Sequence, residues 1–166
     1  MSATDHSPGL AGERLAPREV DAWRGMLRVH SALTKVLDAE MEARHGLPLS
    51  SYEVLLVLAD AQGERMRMCD LASSILLSRS GLTRLVDRLE RDGLLERQSC
   101  PSDARGAFAR LTPAGRARFD EARRTHLAGV RTLFLDRLEP EEQELLGRMW
   151  SRLVPAATHA AGPVCG

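Results

Sequence analysis

The chain has 166 residues, with 23 basic and 23 acidic side chains, so its formal net charge is zero and no overall excess of positive charge marks it for nucleic acid. That length suits one compact domain, and 43% apolar residues are enough for a core. No apolar run approaches the roughly 20 residues of a membrane span, and the first 16 residues lack the basic-then-apolar pattern of a signal peptide, so a cytoplasmic location is the default expectation.

Residues 1–16 are rich in Ser, Ala, Gly and Pro without periodicity and are expected to form a disordered arm. Pro17 suits the first turn of a helix. From there Val20, Trp23, Leu27, His30, Thr34, Leu37 and Met41 step by three and four, and Met26, Val29, Leu33 and Val36 run alongside. The result is a helix ending near Gly46, with an apolar face too broad for a small core. Residues 17–46 are therefore expected to build a dimer interface, the alternative being a wholly intramolecular core helix. A second helix should begin at a capping box of Ser50 and Glu53, stapled by Leu49 and Val54, and end before Gly63. Arg65 to Arg67 reads as a short extended link.

A third helix begins at Cys69 or Asp70, Ser78 to Ser80 makes a turn, and a fourth helix spans about Ser80 to Arg91, closed by Gly93. Leu94 to Gln98 and Ala107 to Leu111 are strand-like and flank a polar loop, Ser99 to Gly106. Thr112 caps the next helix, with Pro113 at its first position, and that helix should reach Leu138. A last helix restarts at Pro140 with an apolar face of Leu145, Leu146, Met149, Trp150, Leu153 and Val154, fraying from Pro155. The fold class is mainly α with a small β-hairpin wing: a winged helix-turn-helix at residues 47–112, then C-terminal dimerisation helices at 113–155 and a flexible tail at 156–166. The dimerisation face is expected to use Val20, Leu27, Leu145, Met149 and Leu153.

A recognition helix presents short polar side chains and arginines to base edges and phosphates in the major groove. Ser78, Arg79, Ser80, Thr83, Arg84 and Arg88 meet that requirement; the alternative is an ordinary solvated helix face. Asp103 and Arg105 are expected at the tip of the hairpin loop, where Asp103 can orient an arginine aimed at a narrow minor groove. From Arg79 to Arg110 there are seven arginines and five acids, so a DNA face requires the fold to segregate those charges. Cys69, Cys100 and Cys165 are odd in number with no CxxC pair, so neither a disulfide framework nor a zinc site is indicated and no cofactor is expected. No metal-spaced cluster, Gly-rich phosphate loop or nucleophile beside a base suggests an enzyme.

The run LSRSGLTRLVDRLERDGLLERQSCPSDARGAFARLTPAG resembles the winged-helix core of the multiple-antibiotic-resistance repressor (MarR) family, and the order of helices extends the likeness to about Val20 to Val154. The resemblance implies a homodimer on pseudo-palindromic double-stranded DNA, acting as a ligand-responsive transcriptional regulator, most commonly a repressor. By that likeness Asp103 and Arg105 take the wing roles, and Ser80, Thr83 and Arg84 the groove-reading ones. The wing departs from the family in carrying Cys100 and Pro101 where a more basic stretch is common. A small aromatic or anionic effector is a further implied partner, with Trp23, Met26, His30 and Tyr52 as candidate lining residues, although core or dimer packing explains most of them better and His30 reads as a satisfied buried histidine. Two alternatives remain at this point: a regulator responding to oxidation of Cys100 or Cys69, and a winged-helix protein-interaction module without DNA binding.

Overall fold

The computed structural model describes residues 14–75, 79–100 and 103–160, with the side chains of 79, 100, 103–106 and 155–160 outside that description. The helices are α1 (Pro17–His45), α2 (Leu49–Asp60), α3 (Met68–Ser74), α4 (Arg79–Arg91), α5 (Pro113–Leu133) and α6 (Pro140–Ala160). Three strands, β1 (Arg65–Arg67), β2 (Leu95–Cys100) and β3 (Asp103–Leu111), form an antiparallel sheet in the order β1-β3-β2. None of the described helices is long and apolar enough to cross a membrane.

The core lies between α2, α3, α4, the inner face of the sheet and the first half of α5. Val54, Leu55 and Leu58 from α2 meet Leu71, Leu82, Val86, Leu89, Leu95, Ala109 and Phe119, all fully or almost fully buried. Only the C-terminal part of α1 joins them, through Leu37 and Met41. The rest of its apolar face is open in the single chain: Trp23 is 54% exposed and Leu27 46%. The same is true of α6, where Leu145 and Leu153 are half exposed.

Several boundaries differ from expectation for local reasons. Helix α2 begins at Leu49, one residue ahead of the expected Ser50 cap, and Asp38 of α1 accepts the Leu49 N–H at 2.8 Å, so a tertiary contact satisfies the first donor of the helix. Helix α5 stops at Leu133 and gives way to a 3₁₀ turn at Leu135–Arg137, five residues short of Leu138. Helix α6 continues through Pro155 to Ala160, where fraying was expected. In the hairpin the strands run to Cys100 and from Asp103, consuming most of the anticipated loop. Ladder hydrogen bonds join backbones and tolerate polar side chains, so the pairing outlasts the polar composition. Asp103 and Arg105 consequently belong to the backbone of β3 and not to a loop.

One knot locks the reading helix to the wing and to α5. Gly93, at φ 72°, ends α4 in a Schellman motif: Leu94 N–H bonds Leu89 O at 2.9 Å and Gly93 N–H bonds Glu90 O at 3.0 Å. Thr112 then donates its hydroxyl to Gly93 O at 2.7 Å and accepts from Gly115 N–H at 3.0 Å. A Cβ on Gly115 would stand 1.8 Å from Leu94 O, so only glycine permits this approach of α5 to the chain entering β2.

Candidate nucleic-acid interface

Helix α4 is strongly two-sided. Leu82, Leu85, Val86 and Leu89 point into the core, while Ser80, Thr83, Arg84 and Asp87 are exposed. This is the division the 3.6-residue period dictates, because positions three and four apart share a face. The structure thus brings Ser80, Thr83 and Arg84 together on the solvent side. Ser78 lies outside the described residues, as do the side chains of Arg79, Asp103 and Arg105.

Arg88 departs from its expected outward role. Its guanidinium turns inward and donates to the hydroxyl of Ser51 on α2, a side chain only 1% exposed. A buried hydroxyl needs a partner, and Arg88 supplies one while tying α4 to α2. It is a brace behind the reading face.

Arg97 is the residue that sequence reasoning missed. It sits on β2 opposite Ala109 of β3, hence on the inner face of the sheet. Its guanidinium donates to Glu90 Oε2 at 2.6 Å and to Asp87 Oδ1 at 2.5 Å, and reaches the Thr83 carbonyl at 3.4 Å. Its backbone N–H donates to Glu90 Oε1 at 2.9 Å. Burial pulls the Arg97 pKa down, but the hydrogen bonds to Asp87 and Glu90 outweigh it and hold it above the usual arginine value. The signal was present in the sequence: an arginine at an inward strand position, next to a helix carrying two acids one turn apart.

This clamp resolves the charge problem posed by the sequence. Asp87 and Glu90 are drawn onto Arg97, and Glu96 lies 3.8 Å from Arg110. Arg84 forms no ion pair among the described residues and stands on the exposed face of α4. Positive charge is therefore presented outward although the segment is almost neutral overall. A helix of this width, with short polar side chains and an arginine at its front, has the shape and the donors for the major groove.

The candidate effector residues separate. Trp23, Met26 and His30 are exposed on α1 in the single chain. Tyr52 is instead a core residue, 1% exposed, stacked on Phe119 at 5.5 Å and tilted against His126 at 4.6 Å between ring centroids. Burial raises its pKa.

Comparison with known proteins agrees with this geometry. The model of the MarR family matches residues 45–106, which include α2, α3, α4 and β2. The chain is similar to Sco3205, a MarR family transcriptional regulator from Streptomyces coelicolor solved in complex with DNA: 34% identity, 86% of this chain and 90% of that one, TM-score 0.82. It is also similar to AbsC, another MarR family transcriptional regulator from Streptomyces coelicolor, at 38% identity over 90% of this chain and 98% of that one, TM-score 0.79. A further relative is the HTH-type transcriptional repressor YetL of Bacillus subtilis (strain 168), 27% identical over 73% of this chain and 76% of its own length.

Proposed function

Because this chain belongs to the MarR family of DNA-binding transcriptional regulators, and not to a family of enzymes, we propose that it works as a homodimer on a pseudo-palindromic operator, as a repressor released by a small aromatic or anionic effector. The observation that carries the dimer is the pair of uncovered apolar faces on α1 and α6. Val20 and Met149 are half-buried, and Leu27, Leu145 and Leu153 are exposed, in the single chain. Apolar surface of that extent on two long terminal helices demands a partner, and a second copy supplies the same faces in a two-fold arrangement. Two reading heads then address two half-sites about one helical turn apart.

In this reading Ser80, Thr83 and Arg84 contact the major groove, with Ser78 and Arg79 completing the helix front and Asp103 and Arg105 serving the wing. Repression is favoured by the repressor YetL among the relatives. The effector would lie against Trp23, Met26 and His30, where an exposed aromatic, a thioether and an imidazole stand on α1. The thiol-responsive alternative is less well supported, since Cys69 donates its S–H to Asp70 Oδ1 at 3.6 Å, a carboxylate whose charge disfavours the thiolate.

Light scattering on the full chain, followed by selection of bound sequences from random DNA, tests the proposal. A dimer that enriches an inverted repeat is expected. A monomer, or enrichment of a single unrepeated site, would overturn the two-headed arrangement. Leu27→Glu combined with Leu153→Glu should leave a monomer with weakened operator binding.

A further inference from the structure

The sheet has a second face that the DNA-reading arrangement leaves unused. Strand alternation puts Arg97, Ala109 and Met66 on the side facing α4 and the core. Arg65 and Arg67 of β1, Phe108 and Arg110 of β3, and Glu96 of β2 therefore share the opposite side. The Arg65 guanidinium lies over the Phe108 ring at 5.3 Å and that of Arg67 at 5.7 Å. Stacking on one ring holds both planes in place, so their N–H edges are pre-set for planar two-point recognition of carboxylates.

Among the described residues of this face and its groove, the arginines Arg65, Arg67 and Arg110 outnumber the acids Glu96 and Asp70. Arg65 is directly opposite Arg110 in the register, and like charges directly opposite each other destabilise a sheet. Glu96 approaches Arg110 at 3.8 Å, while Asp70 contributes a carboxylate at the edge of the groove. Two guanidiniums thus lie over one aromatic ring, with Arg110 lining the same open depression of about 830 Å³. Breadth without enclosure suits a chain segment better than a small molecule, which needs most of its surface covered. Arginine with an aromatic ring is also the composition that anchors protein interfaces.

The patch is set apart from the reading head. It faces away from α4, and Phe108 is separated from Asp103 by five residues of strand, about 16 Å at the usual rise. A partner here does not compete with DNA for α4. We propose that the outer sheet face docks an acidic segment of a second protein, carboxylates engaging Arg65 and Arg110 and an apolar side chain resting on Phe108. The face would let a DNA-bound regulator hold a protein partner at the base of its wing.

The test uses the full chain and a fluorescein-labelled Glu-rich peptide carrying one Phe, read by anisotropy. Saturable binding to the wild type is expected. Arg65→Glu with Arg110→Glu should weaken it at least about tenfold while operator affinity stays within about twofold, in keeping with removal of desolvated charge pairs. Should the charge-reversed protein fail to fold, Arg65→Lys with Arg110→Lys keeps the charge but loses the stacked fork, and should still bind the peptide several-fold more weakly. Absence of saturable binding, or equal peptide affinity in the lysine variant, would sink the proposal. So would a parallel fall in operator affinity, which would make the face a DNA contact. Displacement by inorganic phosphate as readily as by unlabelled peptide would overturn it too, in favour of a small-anion site.

Discussion

Glu90 on α4 receives Arg97 of β2 twice, Oε1 from the backbone N–H at 2.9 Å and Oε2 from the guanidinium at 2.6 Å. With Asp87 beside it, this contact sets the angle between the reading helix and the wing. Each ion pair is partly exposed and worth at most about 1 kcal/mol to stability. Its larger effect is on placement, because in the proposed arrangement helix and hairpin enter neighbouring grooves together. Arg97→Ala should lower operator affinity about tenfold with only a small loss of thermal stability. A gel shift beside a melting curve reads both, and unchanged affinity would show that the clamp positions nothing.

Arg84 and Arg88 stand one turn apart and should behave differently. Arg84→Ala removes an exposed guanidinium from the proposed groove-reading face, so operator affinity should fall by about 1–3 kcal/mol with the melting temperature unchanged. Arg88→Ala leaves the buried Ser51 hydroxyl without its donor and should cost about 1–3 kcal/mol of folding stability. Urea titration separates the two. Equal stability of both variants would remove the brace.

Gly115→Ala tests the knot at the start of α5. The added carbon would collide with the Leu94 carbonyl, a backbone atom that cannot move without shifting α4 and β2. The expected loss is about 1–3 kcal/mol, as for other overpacked sites. The chemically similar change at Gly25, whose Cβ would meet nothing within 4 Å, should be neutral or stabilising because it lies within a helix. A Gly115→Ala protein as stable as the wild type would contradict the contact.

His126 gives the fold a pH dependence. Burial lowers its pKa from the ordinary 6.5, and its Nδ1 is buried beside Tyr52 with no hydrogen-bond partner among the described residues. As pH falls through 6.5, the unfolded chain takes up the proton before the folded one does. The unfolded state then binds more protons, and stability falls with decreasing pH across that window and below it. Urea midpoints measured above and below 6.5 should show this. His126→Phe keeps a ring against Tyr52 and should flatten the dependence; an unaltered slope would move the effect elsewhere.

Much of the fold was legible from residue order. The apolar spacing in α4, the glycine after it, and Thr112 with Pro113 announce their elements because caps and helical periodicity act over three or four residues. The misplacements share one cause, namely contacts between residues distant in sequence. Asp38 satisfies the first donor of α2, one residue ahead of the expected Ser50 cap, and backbone pairing carried the hairpin through its polar stretch. Tyr52 looked like a ligand-facing aromatic until Phe119 and His126, more than sixty residues away, enclosed it.

The candidate site divides in the same way. Which residues share the outward face of α4 was decided by sequence, because Ser80, Thr83 and Arg84 fall on one helical face whatever packs behind them. How charge is shared among them was decided only by tertiary structure. Arg97 and its two acids lie seven and ten residues apart and meet only when β2 folds back on α4. Arg88 and Ser51 are thirty-seven residues apart, yet their bond decides which arginines remain outward. Periodicity is a local property of the backbone, whereas neutralisation depends on distances that only the folded chain defines.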